Sequence, residues 1–106
     1  MLKLFVFVPD KQEVIEKVMT AATQAGAGII GNYTGCGFIT KGTGNWNPQE
    51  GAHPNIGKVG VYSHEPEARI EMICPENKAH SVKNAILNVH PYEEPEIDFV
   101  ELITIE

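Results

Sequence analysis

Residues 2–26 have the sequence LKLFVFVPDKQEVIEKVMTAATQAG, and this stretch decides the fold because its hydrophobic period changes once. Apolar side chains occupy most of both alternating sets of positions in Leu2–Val8, which is typical of a strand covered on both faces. Beyond Pro9 the apolar positions Val14, Val18 and Ala22 recur at the spacing of one helix face. The stretch therefore predicts a strand followed by a helix.

The ends of this helix have recognisable signals. Asp10 and Glu13 are three residues apart, the spacing of a capping box, so we expect Asp10 to be the N-cap. Gly26 follows the last apolar position of the helix face. Glycine is favoured just past a helix end because it adopts the left-handed conformation at little cost.

The middle of the chain is rich in glycine and proline. Four glycines between residues 35 and 44 predict a strand that is bent or bulged where they occur. Residues 48–57 have the composition of a loop, and Val59–Tyr62 is predicted as a short extra strand. Pro66 cannot donate to a sheet ladder, so we expect no strand to run through it except at an edge.

The second half repeats the first. Ala68–Cys74 alternates apolar and charged residues as a half-buried strand does. A helix is predicted from Asn77 to about Val89, and Pro91 ends it. Ile97–Ile105 is predicted as the last strand. The order β-α-β-β-α-β, with one extra short strand, predicts an α+β fold of the ferredoxin-like, split β-α-β kind. We assign residues 1–106 to one domain.

Two helices can cover only one face of such a sheet. Phe5 and Phe7 would then lie on the uncovered face, and an apolar face of that size usually marks an interface. We therefore expect the protein to associate with copies of itself.

Composition narrows the possible partners. Fourteen acidic residues against eight Lys and Arg give a net charge of −6, which argues against a nucleic acid and against an anionic membrane surface. No apolar run reaches the roughly 18 residues of a membrane span. Cys36 and Cys74 form no motif, so the chain is expected in the cytoplasm, with neither cysteine in a disulfide framework.

Two histidines are the first candidates for chemistry. His53 and His90 each precede a proline and have carboxylates close by in the sequence, including Glu50 and Glu93. Imidazole and carboxylate groups bind divalent metal ions, although no spacing here guarantees that three ligands converge. The alternative is that both histidines make hydrogen bonds within turns.

Other candidate site residues also have two possible roles each. Trp46 follows the glycine-rich segment, where it is either a platform for a ligand or a buried anchor. Glu93 and Glu94 follow Tyr92 and are either paired carboxylates or a solvated acidic turn. The two serines, Ser63 and Ser81, lie in no nucleophile motif. We predict no catalytic residue.

Several motifs together resemble one family. Ala25–Tyr33, Glu50–Pro54 and His90–Pro95, with the glycines and prolines between them, resemble the inserted domain of the YqfO family, also called the NGG-one-interacting factor three family. The resemblance covers nearly the whole chain. The segment His90–Pro95 is also similar to the corresponding turn of CutA proteins.

This resemblance implies a PII/CutA-like fold, and domains of that kind commonly form trimers by packing their sheets together. In full-length family members the module is inserted into a larger domain with a two-metal centre, sometimes described as a cyclohydrolase. The metal-binding histidines and acids of that domain have no counterparts in this sequence. The resemblance therefore implies no enzymatic activity here.

The prediction is an oligomeric PII/CutA-like module, a trimer in preference to a dimer, with a regulatory, small-ligand or metal-binding role. We expect its site in clefts between subunits, formed by residues 42–57 and 90–95. The predicted ligand-binding residues are Trp46, Glu50, Tyr92 and Glu93, and the predicted ligands of a divalent metal ion are His53 and His90. The alternatives are a metal-dependent hydrolase and a module that docks on a separately encoded partner.

Overall fold

Four strands form one antiparallel sheet, and two helices pack on one of its faces. A computed structural model describes residues 1–106. Its elements are β1 (Leu2–Pro9), α1 (Gln12–Gln24), β2 (Phe38–Trp46), β3 (Ser63–Cys74), α2 (Ala79–Leu87) and β4 (Ile97–Glu101). A short 3-10 turn, Glu76–Lys78, leads into α2. The strand order β2-β3-β1-β4 is that of a ferredoxin-like fold, so the predicted fold class is confirmed.

The core lies between the sheet and the two helices. Alternation along β1 and β3 places every second side chain of each strand in this layer, and the two helices close it. Burial of one such aliphatic side chain contributes about 1.5–3 kcal/mol. The thirteen core residues are Leu4, Val6, Val8, Ile15, Val18, Ala22, Ala27, Ala68, Ile70, Met72, Cys74, Val82 and Ile86.

The sequence predicted the C-terminal end of α1 correctly but not its N-terminal end. The N-cap is Lys11 and no side chain caps it, so the prediction of Asp10 as a cap was wrong. Asp10 instead pairs with Lys41 of β2, with 3.2 Å between its Oδ1 and the lysine Nζ. At the other end Gly26 has a φ of +120°, and the N–H groups of Gly26 and Ala27 bond back to the last turn of the helix. The predicted glycine stop is confirmed.

The glycine-rich strand β2 is regular. Each of its residues pairs with one residue of β3, from Phe38 opposite Glu71 to Trp46 opposite Ser63, with no residue left over. The predicted bulge was therefore wrong. Glycines predict bulges only statistically, because they also occur where a neighbouring side chain leaves no room for a Cβ.

Two predicted strands are also corrected. Val59–Tyr62 forms a turn in which the N–H of Val61 donates to the oxygen of Lys58 at 3.1 Å, and β3 begins only at Ser63. The predicted 48–57 loop belongs to the irregular segment between β2 and β3. At the C-terminus β4 stops at Glu101, and Ile103 and Ile105 are almost fully exposed. Apolar residues there have no facing strand to pair with.

Strand β3 passes through Pro66, which the sequence excluded except at an edge. The carbonyl oxygen of Pro66 accepts a hydrogen bond from the N–H of Asp10, just beyond the last ladder pair of β1, Pro9 with Glu67. In an extended strand the N and O of one residue point the same way. The missing N–H of Pro66 therefore faces the side where β1 has ended, and no ladder bond is lost.

The uncovered sheet face is less apolar than expected. Phe5 and Phe7 lie on it half-buried, but Arg69 lies between them and the edge strand β2, with its guanidinium 5.8 Å from the centre of the Phe5 ring. Glu71 pairs with this arginine at 3.5 Å. This open face is thus a mixture of rings and charges.

Both ends of the domain lie side by side. The N–H of Leu102 donates to the carbonyl oxygen of Met1 at 3.1 Å, which extends the pairing of β1 with β4 by one bond. Neither helix has the length and hydropathy that crossing a membrane requires.

Candidate functional site

A pocket of about 310 Å³ lies at the end of the sheet where β2 runs into the following loop. Its walls come from the end of β2, residues 47–56, residues 92–96, and side chains of the open sheet face. Three aromatic rings and four carboxylates dominate the lining, and we call it the aromatic–acidic pocket. The aromatic residues are Phe7, Trp46 and Tyr92, and the carboxylates are Glu67, Glu93, Glu94 and Glu96.

Tyr92 contacts two other rings. The ring centres of Trp46 and Tyr92 are 5.9 Å apart and tilted by 50°, and the His90 ring centre lies 4.9 Å from that of Tyr92. The indole N–H of Trp46 donates to the oxygen of Ile56 at 3.2 Å, which holds the loop against the strand. Trp46 thus anchors the loop and also lines the pocket, and its use as a platform for a ligand stays a prediction.

Tyr92 is tied to strand β3. Its hydroxyl donates to Oε2 of Glu67 at 2.9 Å. Burial, this hydrogen bond, and the negative charges of Glu67 and Glu65 raise the pKa of Tyr92 well above its ordinary value. The phenol therefore remains protonated and keeps the Glu67 carboxylate in place at the pocket wall.

His90 lies beneath the pocket. Its Nε2 is 2.7 Å from the carbonyl oxygen of Phe7, and its Nδ1 accepts the backbone N–H of Tyr92 at 3.1 Å. These two partners require a neutral ring with the proton on Nε2. Burial lowers the pKa of His90, although the hydrogen bond to Phe7 partly opposes this. Neither ring nitrogen is free to bind a metal ion in this conformation.

His53 and Glu50 lie on the loop outside the lining. Both are exposed, and the backbone N–H of His53 donates to Oε1 of Glu93 at 2.8 Å. This bond joins residues 40 positions apart and closes the loop over the 92–96 segment. The two sequence segments predicted to form a cleft between subunits therefore meet within one chain.

The carboxylates leave the pocket strongly negative. A hydrogen bond to Asp98, partial burial, and the charges of Asp98 and Glu67 raise the pKa of Glu96. No lysine, arginine or histidine lines the pocket. The chain contains no group of three or more histidine, cysteine, aspartate or glutamate side chains arranged to hold a metal ion.

Of the six predicted site residues, the structure brings Trp46, Tyr92 and Glu93 together in the pocket lining. Sequence reasoning missed Phe7 and Glu67. The ladder register brings them close together, with Phe7 opposite Arg69 and Glu67 opposite Pro9. Alternation placed Phe7 on the uncovered face, but the predicted strand began at Ala68 and left Glu67 out. No local signal gives the register that brings both beside Tyr92.

The fold has well-defined structural neighbours. The chain superposes with a TM-score of 0.71 on the divalent cation tolerance protein (Cut A1) from Thermus thermophilus, covering 100% of this chain and 88% of that one. The two sequences are 17% identical, so this likeness shows the fold alone. It agrees with the PII/CutA-like architecture implied by the sequence.

Similarity in sequence points to a second group of proteins. The chain is 45% identical over 100 residues to the GTP cyclohydrolase 1 type 2 homolog of Halalkalibacterium halodurans, covering 94% of this chain. It is 40% identical, with a TM-score of 0.82, to the crystal structure of a Bacillus cereus protein related to NIF3, covering 97% of this chain. In both cases it spans only 26% of the other protein, about a quarter of its length. No family model matches the chain.

Proposed function

We propose that this chain is a small-ligand-binding module of the YqfO (NIF3) family and that its ligand occupies the aromatic–acidic pocket. The observation that carries the proposal is the convergence of Trp46, Tyr92 and Glu93 on one cavity. A concave site with apolar walls and a few polar groups is the usual form of a small-molecule site. Its volume of about 310 Å³ is at the small end of such sites.

The role we propose is regulatory. The pocket is bounded by two irregular segments, which are joined by the bond between His53 and Glu93 and fixed to the sheet by Trp46 and Tyr92. A ligand that contacts both segments would stabilise one arrangement of this exposed surface over others. Catalysis has no observation that favours it in this chain. We place the protein in the cytoplasm, in keeping with its two free cysteines.

Trp46 provides the test, because it is the only tryptophan in the chain and lines the pocket. Its fluorescence is followed while a panel of small metabolites of each charge type is added, with thermal unfolding as a second readout. We expect at least one class to shift both signals in the wild type and to lose its effect in Tyr92→Leu. Tyr33→Leu is the matched control, since Tyr33 is exposed and lies outside the pocket lining. If no compound shifts either signal, the proposed function is wrong.

We propose further that the protein is a homo-oligomer, with a trimer preferred, held together through the open sheet face. Phe38 is 67% exposed and shares this face with Phe5 and Phe7. Exposed rings on a sheet face favour association. Light scattering coupled to gel filtration should give three chains, and Phe38→Asp should shift the mass towards one. A wild-type monomer would contradict this proposal, and Tyr33→Asp controls for an added charge.

Glu50, His53 and His90 lie outside the pocket lining, and we propose roles for them that require a change of conformation. Glu50 would contact a ligand only if the 47–56 loop closed further over the pocket. A divalent metal ion at His53 and His90 would require the His90 ring to give up one of its two hydrogen bonds, because an imidazole binds a metal ion through a single nitrogen. Calorimetry with Zn²⁺ alone on the wild type and on His53→Ala tests this prediction, which an unchanged heat of binding would contradict.

A further inference from the structure

The charge of the pocket restricts what can enter it. Four glutamates and no basic side chain line the cavity. In a concave site with low-dielectric walls, charges of one sign focus the potential and concentrate the opposite ion. The cavity therefore disfavours phosphates and carboxylates, nucleoside triphosphates included.

Nothing within the chain neutralises these carboxylates. Its two ion pairs are Lys41 with Asp10 and Arg69 with Glu71, so no pocket glutamate has a cationic partner within 4.0 Å. Glu67 and Glu93 each accept a neutral hydrogen bond, from the Tyr92 hydroxyl and from the His53 N–H. A hydrogen bond of this kind orients a carboxylate but leaves its charge in place. The pocket therefore carries negative charge that no side chain of the chain offsets by an ion pair.

The size and chemistry of the walls identify the kind of cation. The carboxylates line one cavity, but no three of them are close enough together to ligate a single metal ion. Three aromatic rings share the walls, and the faces of aromatic rings attract organic cations that come within about 6 Å. A metal ion is too small to contact carboxylates that are spread over the cavity, and it would leave the aromatic walls without a partner. An alkyl cation uses both, because its carbon chain packs on the rings while its charge faces the glutamates.

We infer that the aromatic–acidic pocket binds a small organic cation, a molecule with an ammonium or guanidinium group on a short alkyl chain. The charged group lies among the four glutamates and the alkyl part against the three rings. This inference rests on the proposed function, since it names the ligand class of the same site. A lysine or arginine side chain of a neighbouring polypeptide carries the same chemistry, so the experiment also compares these two sources.

The experiment uses Trp46 fluorescence and four probes, three of them matched in size but different in charge. They are n-butylammonium, 1-butanol as the neutral isostere, butyrate as the anion, and Mg²⁺ alone. We expect n-butylammonium to bind at least about tenfold more tightly than 1-butanol, with no response to butyrate, and its affinity to fall as salt is added. A capped Gly-Lys-Gly peptide in parallel shows whether a free amine or a side chain is preferred.

Substitution of single glutamates tests whether the pocket carboxylates bind the cation. Glu67→Gln and Glu93→Gln should each weaken n-butylammonium binding about threefold to tenfold, whereas Glu13→Gln, an equal change of charge on the opposite side of the sheet, should leave it unchanged. Equal binding of 1-butanol, or tighter binding of butyrate or Mg²⁺, would overturn the cation inference and leave the proposed ligand-binding function standing. Failure of every probe here and of every compound in the metabolite panel would overturn both.

Discussion

The hydroxyl of Tyr92 donates to the carboxylate of Glu67 across 2.9 Å, although the two residues are 25 positions apart. This bond joins the irregular segment before β4 to strand β3. It also decides where one wall of the aromatic–acidic pocket stands, because both residues line it.

Removal of the hydroxyl tests this bond. Tyr92→Phe keeps the ring against Trp46 and His90 but loses the donor to a charged acceptor, and we expect the free energy of unfolding to fall by about 1 kcal/mol. Urea denaturation measures the change. Tyr33→Phe removes an exposed hydroxyl and should change stability little. An equal effect of the two substitutions would show that the Tyr92 bond contributes nothing.

A pair of glycines on β2 offers a second test. A Cβ on Gly44 would lie 2.6 Å from the carboxylate carbon of Glu67, whereas a Cβ on Gly42 would meet nothing within 4 Å. Gly44→Ala should displace Glu67 from Tyr92 and destabilise the protein. Gly42→Ala, on the same face of the same strand, should be neutral or stabilise it by about 0.4–1 kcal/mol. Chemical denaturation measures the free energy of unfolding of both variants. A Gly44→Ala variant as stable as the wild type would contradict the expected clash of the new Cβ with Glu67.

Acid should weaken the fold through His90. Burial holds its pKa below 6.5 in the native state, so at slightly acidic pH the unfolded chain binds a proton that the native state does not. The contribution of His90 is therefore complete above pH 6.5 and is lost as the pH falls below that value, at up to about 1.4 kcal/mol per pH unit. Denaturation at a series of pH values measures this slope.

His90→Asn should flatten that slope, at the cost of lower stability near neutral pH because the bonds to Phe7 and Tyr92 are lost or weakened. His80 is exposed on α2, so His80→Asn provides the matched control and should keep the wild-type slope. A wild-type slope in His90→Asn would assign the acid sensitivity to other groups.

The pH dependence of stability that we expect from Glu96 has the opposite sign to that from His90. Its pKa is raised by the hydrogen bond with Asp98, by partial burial and by neighbouring negative charge, so the native state holds its proton more firmly than the unfolded chain does. Its contribution to stability therefore decreases as the pH rises from 4.5 through the raised value. Glu96→Gln supplies an N–H donor to Asp98 and removes a negative charge beside it, so we expect higher stability at pH 7. A thermal shift assay measures this, and a less stable variant would contradict it.

Local patterns were sufficient for the elements that build the core. β1, α1, β3 and α2 each repeat their apolar residues at one period along the element, and the structure places those side chains inside. The wrong predictions concern residue types that occur in more than one kind of structure. Gly44 on β2 makes room for Glu67 without bulging the strand. The segments 59–62 and 103–105 are rich in apolar residues but have no strand partner.

The pocket was predictable only in part. His90–Pro95 and Trp46 stand out by composition, and Trp46 and Tyr92 lie at the cavity. Phe7 and Glu67 come to them through the pairing of β1 with β3, a long-range property that alternation alone does not specify. The roles of His53 and His90 also depended on geometry, because their backbone and ring hydrogen bonds involve residues 40 and 83 positions away.

The hydrogen bond between Leu102 and Met1 has a consequence for protein engineering. Because the first and last paired residues are neighbours, a short peptide could join them, and new ends could be opened in the exposed turn around Gly60. Such a circular permutant should keep the sheet order and the pocket, since that turn contributes nothing to the buried core. By the same geometry, the domain could be placed in a surface loop of a carrier protein while the loop ends stayed close together. The aromatic–acidic pocket could then be transferred to other proteins as a ligand sensor, with Trp46 as its fluorescent reporter.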